Sequence, residues 1–572
     1  MSCPYNNASS AHERIFKTVR ARLLMIGVFF GLAFCVVAGR LVGLSIADGG
    51  MASVADTHPS FHVARADVVD RNGVLLATSL PTASLYADPK DVLDAKDTVE
   101  KLRRVFPDLP AATLLSRLQQ DGRFIWIRRN LTPREQYEVN QLGLPGLDFI
   151  EEERRVYPQG PVAAHVLGFA DIDGNGLAGI ERAFDQSLRA GEPVRLSMDM
   201  RVQTILRQEL AAAVKEFKGI GGAGVVLDVH TGELLALVSL PDFDPNNPGA
   251  ANEDARFNRV TQGVYEPGST LKLFTAAMAL DSGTTTLNGG YDASKPIRVA
   301  RHTIRDYRPK NRWLSVPEIL VHSSNIGAAE MALDVGGQLQ RMYLEQFGLL
   351  APAAIELPEV GAPLAPTPMQ WRDVHTMTIG FGHGIAVSPL QLASGVAAVV
   401  NSGLFRRPTV IRRDRPVEEG RRVISAETSR TVCALMRLIV LSGTGRNADV
   451  PGLRIGGKTG TAEKNVGGRY NRNARISSFI AAFPIDAPRY VVLAMIDEPQ
   501  GNASTHNYAT GGWVAAPVIR RVSERIAPIL GVEPVLPSGD DAPMNVQDPG
   551  MLLPVAMKQA MAEARGRRLA AN

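Results

Sequence analysis

The chain has 572 residues, too many for one ordinary domain, and 45% hydrophobic with 21% charged residues is a globular composition able to bury a sizeable core. A formal net charge of +4, with no dense Lys/Arg run interleaved with aromatics, argues against a nucleic-acid binder. Cys3, Cys35 and Cys433 lie far apart with no C-x-x-C spacing, so neither a zinc site nor a disulfide framework is indicated, and Cys433 reads as a buried apolar residue.

The first element is the apolar run from Leu23 to Ile46, LLMIGVFFGLAFCVVAGRLVGLSI, whose single charge is Arg40. As a helix it spans about 36 Å, enough to cross a bilayer core, and Arg40 sits near one end where its side chain can snorkel. Arg14, Lys17, Arg20 and Arg22 precede the run against one acid, Glu13; Asp48 and Asp56 follow it, with no base until Arg65. The positive-inside rule then predicts a cytoplasmic tail over 1–22, a transmembrane helix over 23–46, and the bulk of the chain outside. The competing reading is a cleaved signal peptide. Ser45-Ile46-Ala47 is a weak cleavage site, and Leu32-Ala33-Phe34-Cys35 looks superficially like a lipoprotein box. Bulky Phe34 before the cysteine and the length of the apolar run argue against both.

Residues 47–190 are polar and mixed, with no long periodic run. Within them, Arg65 to Ala77 (RADVVDRNGVLLA) reads as two short strands around an Asn72-Gly73 turn. Leu131 to Leu142 has helical character, starting at Thr132-Pro133. From Arg201, RVQTILRQELAAAVKEF places Val202, Ile205, Leu206, Leu210, Val214 and Phe217 on one stripe, an amphipathic helix. Gly224 to Asp228 and Leu234 to Val238 flank Thr231-Gly232 as a hairpin, and Ser477 to Phe483 with Tyr490 to Ile496 read as another strand pair. A helix from about Trp513 follows Gly511-Gly512. Helix, hairpin, a long middle section, strands and a final helix predict an α+β layer domain over 191–531. From 532 to 572 Pro and Asp become frequent, as in a loose extension, although Met551 to Leu569 has short-helix character.

Three short motifs occur in order: Ser269-Thr-Leu-Lys272, Ser323-Ser-Asn325 and Lys458-Thr-Gly-Thr461. Sets of this kind mark β-lactamases and penicillin-binding proteins. Ser269 follows Pro267-Gly268 and precedes TLKLFTAAMAL, so it opens a largely apolar helix, at the positive end of its dipole. Lys272, three residues on, lies on the same face, and burial lowers the pKa of a lysine as a general base requires. Ser323 and Asn325, two apart on a turn, send both side chains to one side, where a hydroxyl relays a proton and an amide holds a substrate amide. Lys458, Thr459 and Thr461 provide a cation and two hydroxyls for a substrate ending in a carboxylate, and Gly460 lets substrate backbone approach closely. S-x-x-K arises by chance about once per chain and Ser-x-Asn is usually a turn, but Lys-Thr-Gly is rarer. The weight lies in all three occurring in this order after Pro267-Gly268.

From the anchor to about residue 530 the chain resembles the class B penicillin-binding proteins, in particular the cell-division (septal) D,D-transpeptidases. Beside the three motifs the resemblance rests on RADVVDRNGVLLA, Arg155-Val-Tyr-Pro158, Gly176 to Glu181 (GLAGIE), Leu196 to Gln203 (LSMDMRVQ) and Leu227 to Pro248. Tyr265 to Lys272 (YEPGSTLK), Phe381 to Ile385 (FGHGI) and Ser477-Ser-Phe479 complete it. Glu266 before Pro267 resembles the division type more than the elongation type. Ala66-Asp67 departs from the commoner Gly after the arginine.

The resemblance implies a serine β-lactamase-like transpeptidase domain, its five-stranded antiparallel sheet lying between helices, above an elongated pedestal of the dimerisation type (47–190). It implies that Ser269 attacks a D-Ala–D-Ala amide, Lys272 takes its proton, Ser323 shuttles protons and Asn325 positions the acyl-enzyme. Lys458, Thr459 and Thr461 would hold the terminal carboxylate, and the N–H groups of Ser269 and Thr461 would form the oxyanion hole. An amine of a second stem peptide would resolve the ester, and β-lactams would acylate the same serine. No cofactor or metal is implied. The implied setting is the inner membrane at the division septum, with division-complex partners that include a membrane glycan polymerase. Elongation-type transpeptidation and a mainly scaffolding role are the alternatives. Carboxypeptidase or β-lactamase hydrolysis is another, against which the class A water-activating Glu-x-x-Leu-Asn segment is absent.

Overall fold

The computed structural model describes residues 28, 31–38, 40, 64–299, 302–413, 420–466 and 469–535. The chain divides between Val63 and Ala64 into two units. In the first, the described residues are helical, but most of the span expected over 23–46 lies outside the described residues, as do the tail 1–22 and everything after 535. Among the described residues no helix is long and apolar enough to cross a membrane.

The second unit begins with the expected pair around Asn72-Gly73: β1 (Val68–Val69) and β2 (Leu75–Ala87) run antiparallel. The Asp70 carboxylate closes the turn by accepting from the N–H groups of Asn72 (2.7 Å) and Val74 (2.8 Å). β2 continues well past the predicted strand. Helices α1 (Ala95–Val105) and α2 (Ala111–Leu118) follow, then β3 (Ile125–Leu131), α3 (Pro133–Gln141) and β4 (Leu147–Val156). α3 starts as expected, with Thr132 and Glu135 forming a capping box ahead of Pro133. β3 and β4 both pair with β2. On this sheet Leu85 and Ile125 meet Val99, Leu102, Leu114 and Leu118 of the helices in a small separate core. α1 and α2 do place their apolar residues on one face, but they span only 11 and 8 residues, too short a run to stand out in the sequence.

β5 (Val194–Arg195) pairs parallel with β1 and joins this sheet to the catalytic part. Nearby, Glu181 is fully buried between two arginines: Arg65 Nε donates to one carboxylate oxygen and Arg155 Nε to the other, each at 2.7 Å.

The catalytic part contains α4 (Met200–Glu216), β6 (Gly221–Asp228), β7 (Leu234–Leu240), α5 (Lys272–Asp281), α6 (Val316–His322) and α7 (Asn325–Val335). It continues through α8 (Pro389–Val400), α9 (Ala426–Ser442), β8 (Gly456–Val466), β9 (Arg469–Phe483), β10 (Tyr490–Asp497) and α10 (Gly511–Ile526). The five strands form one antiparallel sheet in the order β8-β9-β10-β6-β7. Both faces are buried, and the two-residue period sorts the side chains between them. Val491, Leu493 and Met495 face a core shared with Phe274 and Val396 of α5 and α8. Val492, Ala494 and Ile496 face the core built from α4 and α10 through Leu206, Leu210, Val514 and Ile519. The α+β sheet between helical layers is thus observed.

Three details differ from expectation. Ser269 sits in a 3-10 turn, Gly268–Leu271, and the α-helix proper begins at Lys272. α10 begins at Gly511, since the two glycines form its first turn against the sheet. The chain stays packed beyond Gly531: Val532 is buried and Val535 N–H donates to Gly452 O at 2.9 Å. Cys433 is buried, as read, and burial pushes its thiol up to about 12.

Candidate active site

The turn that carries Ser269 is held from two sides by glycine. Gly268 has φ +55°, and a Cβ there would stand 2.8 Å from Thr461 O and 3.3 Å from Thr461 N. The backbone of β8 therefore lies directly against the residue preceding Ser269. Gly382, at φ +91°, accepts at its carbonyl from Gly268 N–H (3.1 Å), and its missing Cβ makes room for the Gly268 carbonyl.

Around this turn the structure brings together the residues of all three motifs. Lys272 Nζ donates to Ser269 Oγ (3.1 Å), Ser323 O (2.7 Å), Ser323 Oγ (3.2 Å) and Asn325 Oδ1 (2.7 Å). Ser323 takes a left-handed backbone, φ +57°, at the end of α6, and Asn325 opens α7 two residues later. That reversal turns both side chains toward Lys272. From the other wall Lys458 Nζ donates to Ser323 Oγ at 2.9 Å and reaches Thr459 Oγ1 at 3.4 Å. Ser323 thus bridges two lysines that are both essentially inaccessible to solvent.

Two buried ammonium groups sharing one hydroxyl cannot both keep their protons cheaply. Burial, reinforced by the charge of Lys458, holds Lys272 well below the ordinary lysine range, while the charge of Asp306 pulls the other way. Burial alone pushes Lys458 down to about 7. Lys272 is therefore the member poised as a free amine, able to accept the Ser269 proton.

β8 is an edge strand of the sheet. Thr459 and Thr461 share one of its faces: Thr459 Oγ1 pairs with Thr444 Oγ1 (2.8 Å), and Thr461 Oγ1 accepts from Gly511 N–H (3.1 Å). Gly460 has a different use from the one read in the sequence. A Cβ there would meet Ser478 Oγ and stand 2.9 Å from Pro267 O, so the backbone it admits is that leading into the Ser269 turn.

Residues outside the three catalytic motifs join the site. Thr444 pairs with Thr459. Asp306, just past the short strand His302–Ile304, reaches the start of α7. Glu266 accepts from Gly384 N–H and Tyr470 Oη, both at 2.9 Å, and His383 Nδ1 lies 3.0 Å from its other oxygen. Burial opposes ionisation of Glu266, but the bonds from His383, Gly384 and Tyr470 hold its carboxyl below the usual range. It thereby ties the Ser269 turn to the FGHG loop and the β8–β9 hairpin. Its position in YEPGST was visible in the sequence; its partners were not.

Residues 222–524 match the family described as penicillin binding protein transpeptidase domain, and residues 61–210 match the penicillin-binding protein dimerisation domain. Fold and family matches together define a penicillin-binding transpeptidase with a dimerisation-type pedestal. The chain is 44% identical over 547 residues to the probable peptidoglycan D,D-transpeptidase FtsI of Caulobacter vibrioides, covering 92% of this chain and 91% of that protein. It is 32% identical over 567 residues to the peptidoglycan D,D-transpeptidase FtsI of Escherichia coli, covering 92% and 94%. The transpeptidase domain of Burkholderia pseudomallei penicillin-binding protein 3 superposes with a TM-score of 0.54 at 32% identity, over 60% of this chain and 98% of that structure. The chain belongs to the class B penicillin-binding proteins of the FtsI type.

Proposed function

We infer that this chain is a peptidoglycan D,D-transpeptidase that cross-links stem peptides during septal wall synthesis and is acylated by β-lactams. The observation that carries the reading is Lys272 Nζ at 3.1 Å from Ser269 Oγ while both motif partners, Ser323 and Asn325, hold the same nitrogen.

In this reading a donor stem peptide lies along edge strand β8, its terminal carboxylate on Thr459 and Thr461 with the charge of Lys458 behind them. Ser269 Oγ attacks the carbonyl carbon of the penultimate D-Ala as its proton passes to Lys272. The oxyanion forms against the N–H groups of Ser269 and Thr461. The C–N bond then breaks, and the proton returns through Ser323 to the departing D-Ala amine. The resulting ester stays on Ser269, oriented by Asn325. An acceptor amine attacks that ester, gives up a proton by the same route, and releases the cross-linked peptide with Ser269 restored. The setting is the inner membrane, with 1–22 cytoplasmic, 23–46 spanning, pedestal and catalytic domain periplasmic, and a membrane glycan polymerase of the division complex as partner.

Covalent labelling with a reporter penicillin, followed by mass mapping, tests the acyl-transfer core. The adduct is expected on Ser269, and Ser269→Ala is expected to fold but remain unlabelled. Undiminished labelling of that variant would refute the assignment.

A further inference from the structure

Two buried lysines crowd Ser323, yet the motifs contain no acid to balance them. The structure supplies one from outside the motifs. Asp306 follows the short strand His302–Ile304, and its carboxylate meets the start of α7. One oxygen accepts from Asn325 N–H (2.5 Å) and Ile326 N–H (3.0 Å); the other accepts from Ser324 Oγ (2.8 Å). Beside it, Arg305 O accepts from Asn325 Nδ2 at 2.9 Å. The Asn325 amide is therefore fixed at both ends, since its Oδ1 accepts from Lys272 Nζ at 2.7 Å.

We propose that Asp306 is a positioning residue of the acyl-transfer centre, holding the Ser323–Asn325 turn against Lys272 and supplying the negative charge that the two buried lysines lack. The geometric half rests on the turn itself. Ser323 occupies a left-handed backbone uncommon for a residue with a Cβ, and the next four residues are pinned, Ser324, Asn325 and Ile326 by the Asp306 carboxylate and Gly327 by the Ser324 hydroxyl. An anion at the first N–H groups of α7 is also favourably placed in the helix field.

The electrostatic half rests on sign. The charged groups acting on Lys272 are Lys458 from β8, which repels its proton, and Asp306, which retains it; Ser269, Ser323 and Asn325 are neutral. Asp306 thus works against burial and Lys458, keeping Lys272 basic enough to take a proton from a serine. Removing that negative charge while keeping the shape makes Lys272 give up its proton at lower pH.

The inference rests on the function proposed above, and one experiment separates the two. The second-order rate of acylation by a reporter penicillin is measured from pH 5 to 9 for the full-length protein, Asp306→Asn and Asp306→Ala, with thermal melting in parallel. Asn keeps an acceptor for both N–H groups and a polar partner for Ser324, so Asp306→Asn is expected to melt like the parent. The acid limb of its profile is expected to move to lower pH by about half a unit or more. Asp306→Ala is expected to show the same displacement together with a plateau lowered about tenfold or more, because Asn325 and Ser323 lose their anchor. An Asp306→Asn profile superimposed on that of the parent would overturn the proposal. So would an Asp306→Ala loss matched by its unfolded fraction. If the parent itself is not acylated at Ser269, the functional reading fails and this inference with it.

Discussion

Lys272 makes all its polar contacts with four oxygens of Ser269, Ser323 and Asn325, in a place solvent does not reach. Lys272→Met removes the base but also removes a buried amine, so acylation by penicillin is expected to fall about 10²- to 10⁴-fold while the melting temperature holds or rises. Stopped-flow labelling beside thermal denaturation checks both halves; a near-normal rate would mean another group takes the Ser269 proton. The pH dependence has two limbs. The second-order acylation rate, which reports the free enzyme, should rise with pH as Lys272 becomes a free amine. It should decline as pH passes about 7 and Lys458 loses the charge that receives a carboxylate. A rate that climbs steadily to pH 9 would contradict that role for Lys458.

The 3-10 turn carrying Ser269 is positioned by elements that approach it backbone to backbone. Gly382 of the loop before α8 supplies the carbonyl for Gly268 N–H and lacks the Cβ that would strike the Gly268 carbonyl. Gly382→Ala adds that Cβ at φ +91°, combining overpacking with backbone strain. The variant is expected to lose about 2–4 kcal/mol of stability and to acylate more slowly even where it is folded. Urea unfolding and labelling at 10 °C separate the two effects; wild-type rates would show that the loop does not place Ser269. The helix from Arg201 was legible at this scale because its apolar residues repeat at the helix period over 17 residues, and the hairpin because two continuous apolar runs flank Thr231-Gly232. α1, α2 and the full length of β2 were not: the two helices are short, and β2 runs on through Pro81 and a stretch of Ser and Thr that reads as a break.

Across the molecule, buried polar groups lie both inside the pedestal and where it packs on the catalytic part. Glu181 balances Arg65 and Arg155 with essentially no exposure. Glu181→Gln leaves the buried Arg155 without its counter-charge and Arg65 with Asp185 alone, and is expected to cost about 3–5 kcal/mol, read as a lowered melting temperature. His165 packs edge-on against Phe243, with Nε2 2.9 Å from Ala255 O, and burial pushes its pKa down to about 4. The unfolded chain takes up that proton below about 6.5, the folded one only near 4. Stability is therefore lost as pH falls between those values, by up to about 3 kcal/mol for this group. His165→Phe should flatten that part of the stability–pH curve; an unchanged curve would rule out His165 as its source.

The chemistry was written locally: Ser269 and Lys272 one helical turn apart, Ser323 and Asn325 astride a turn, Lys458 to Thr461 on one short segment. Spacings this short depend only on backbone geometry, so the sequence alone determined the catalytic groups and their likeness to the penicillin-binding proteins. It could not determine that Lys272 and Lys458, 51 and 135 residues from Ser323, converge on its hydroxyl. Nor could it mark Asp306 or the partners of Glu266. Those contacts exist because strand pairing and the packing of two helical layers carry distant segments to the same edge of one sheet. Such long-range placement follows from the core as a whole, whose pattern names no individual pair.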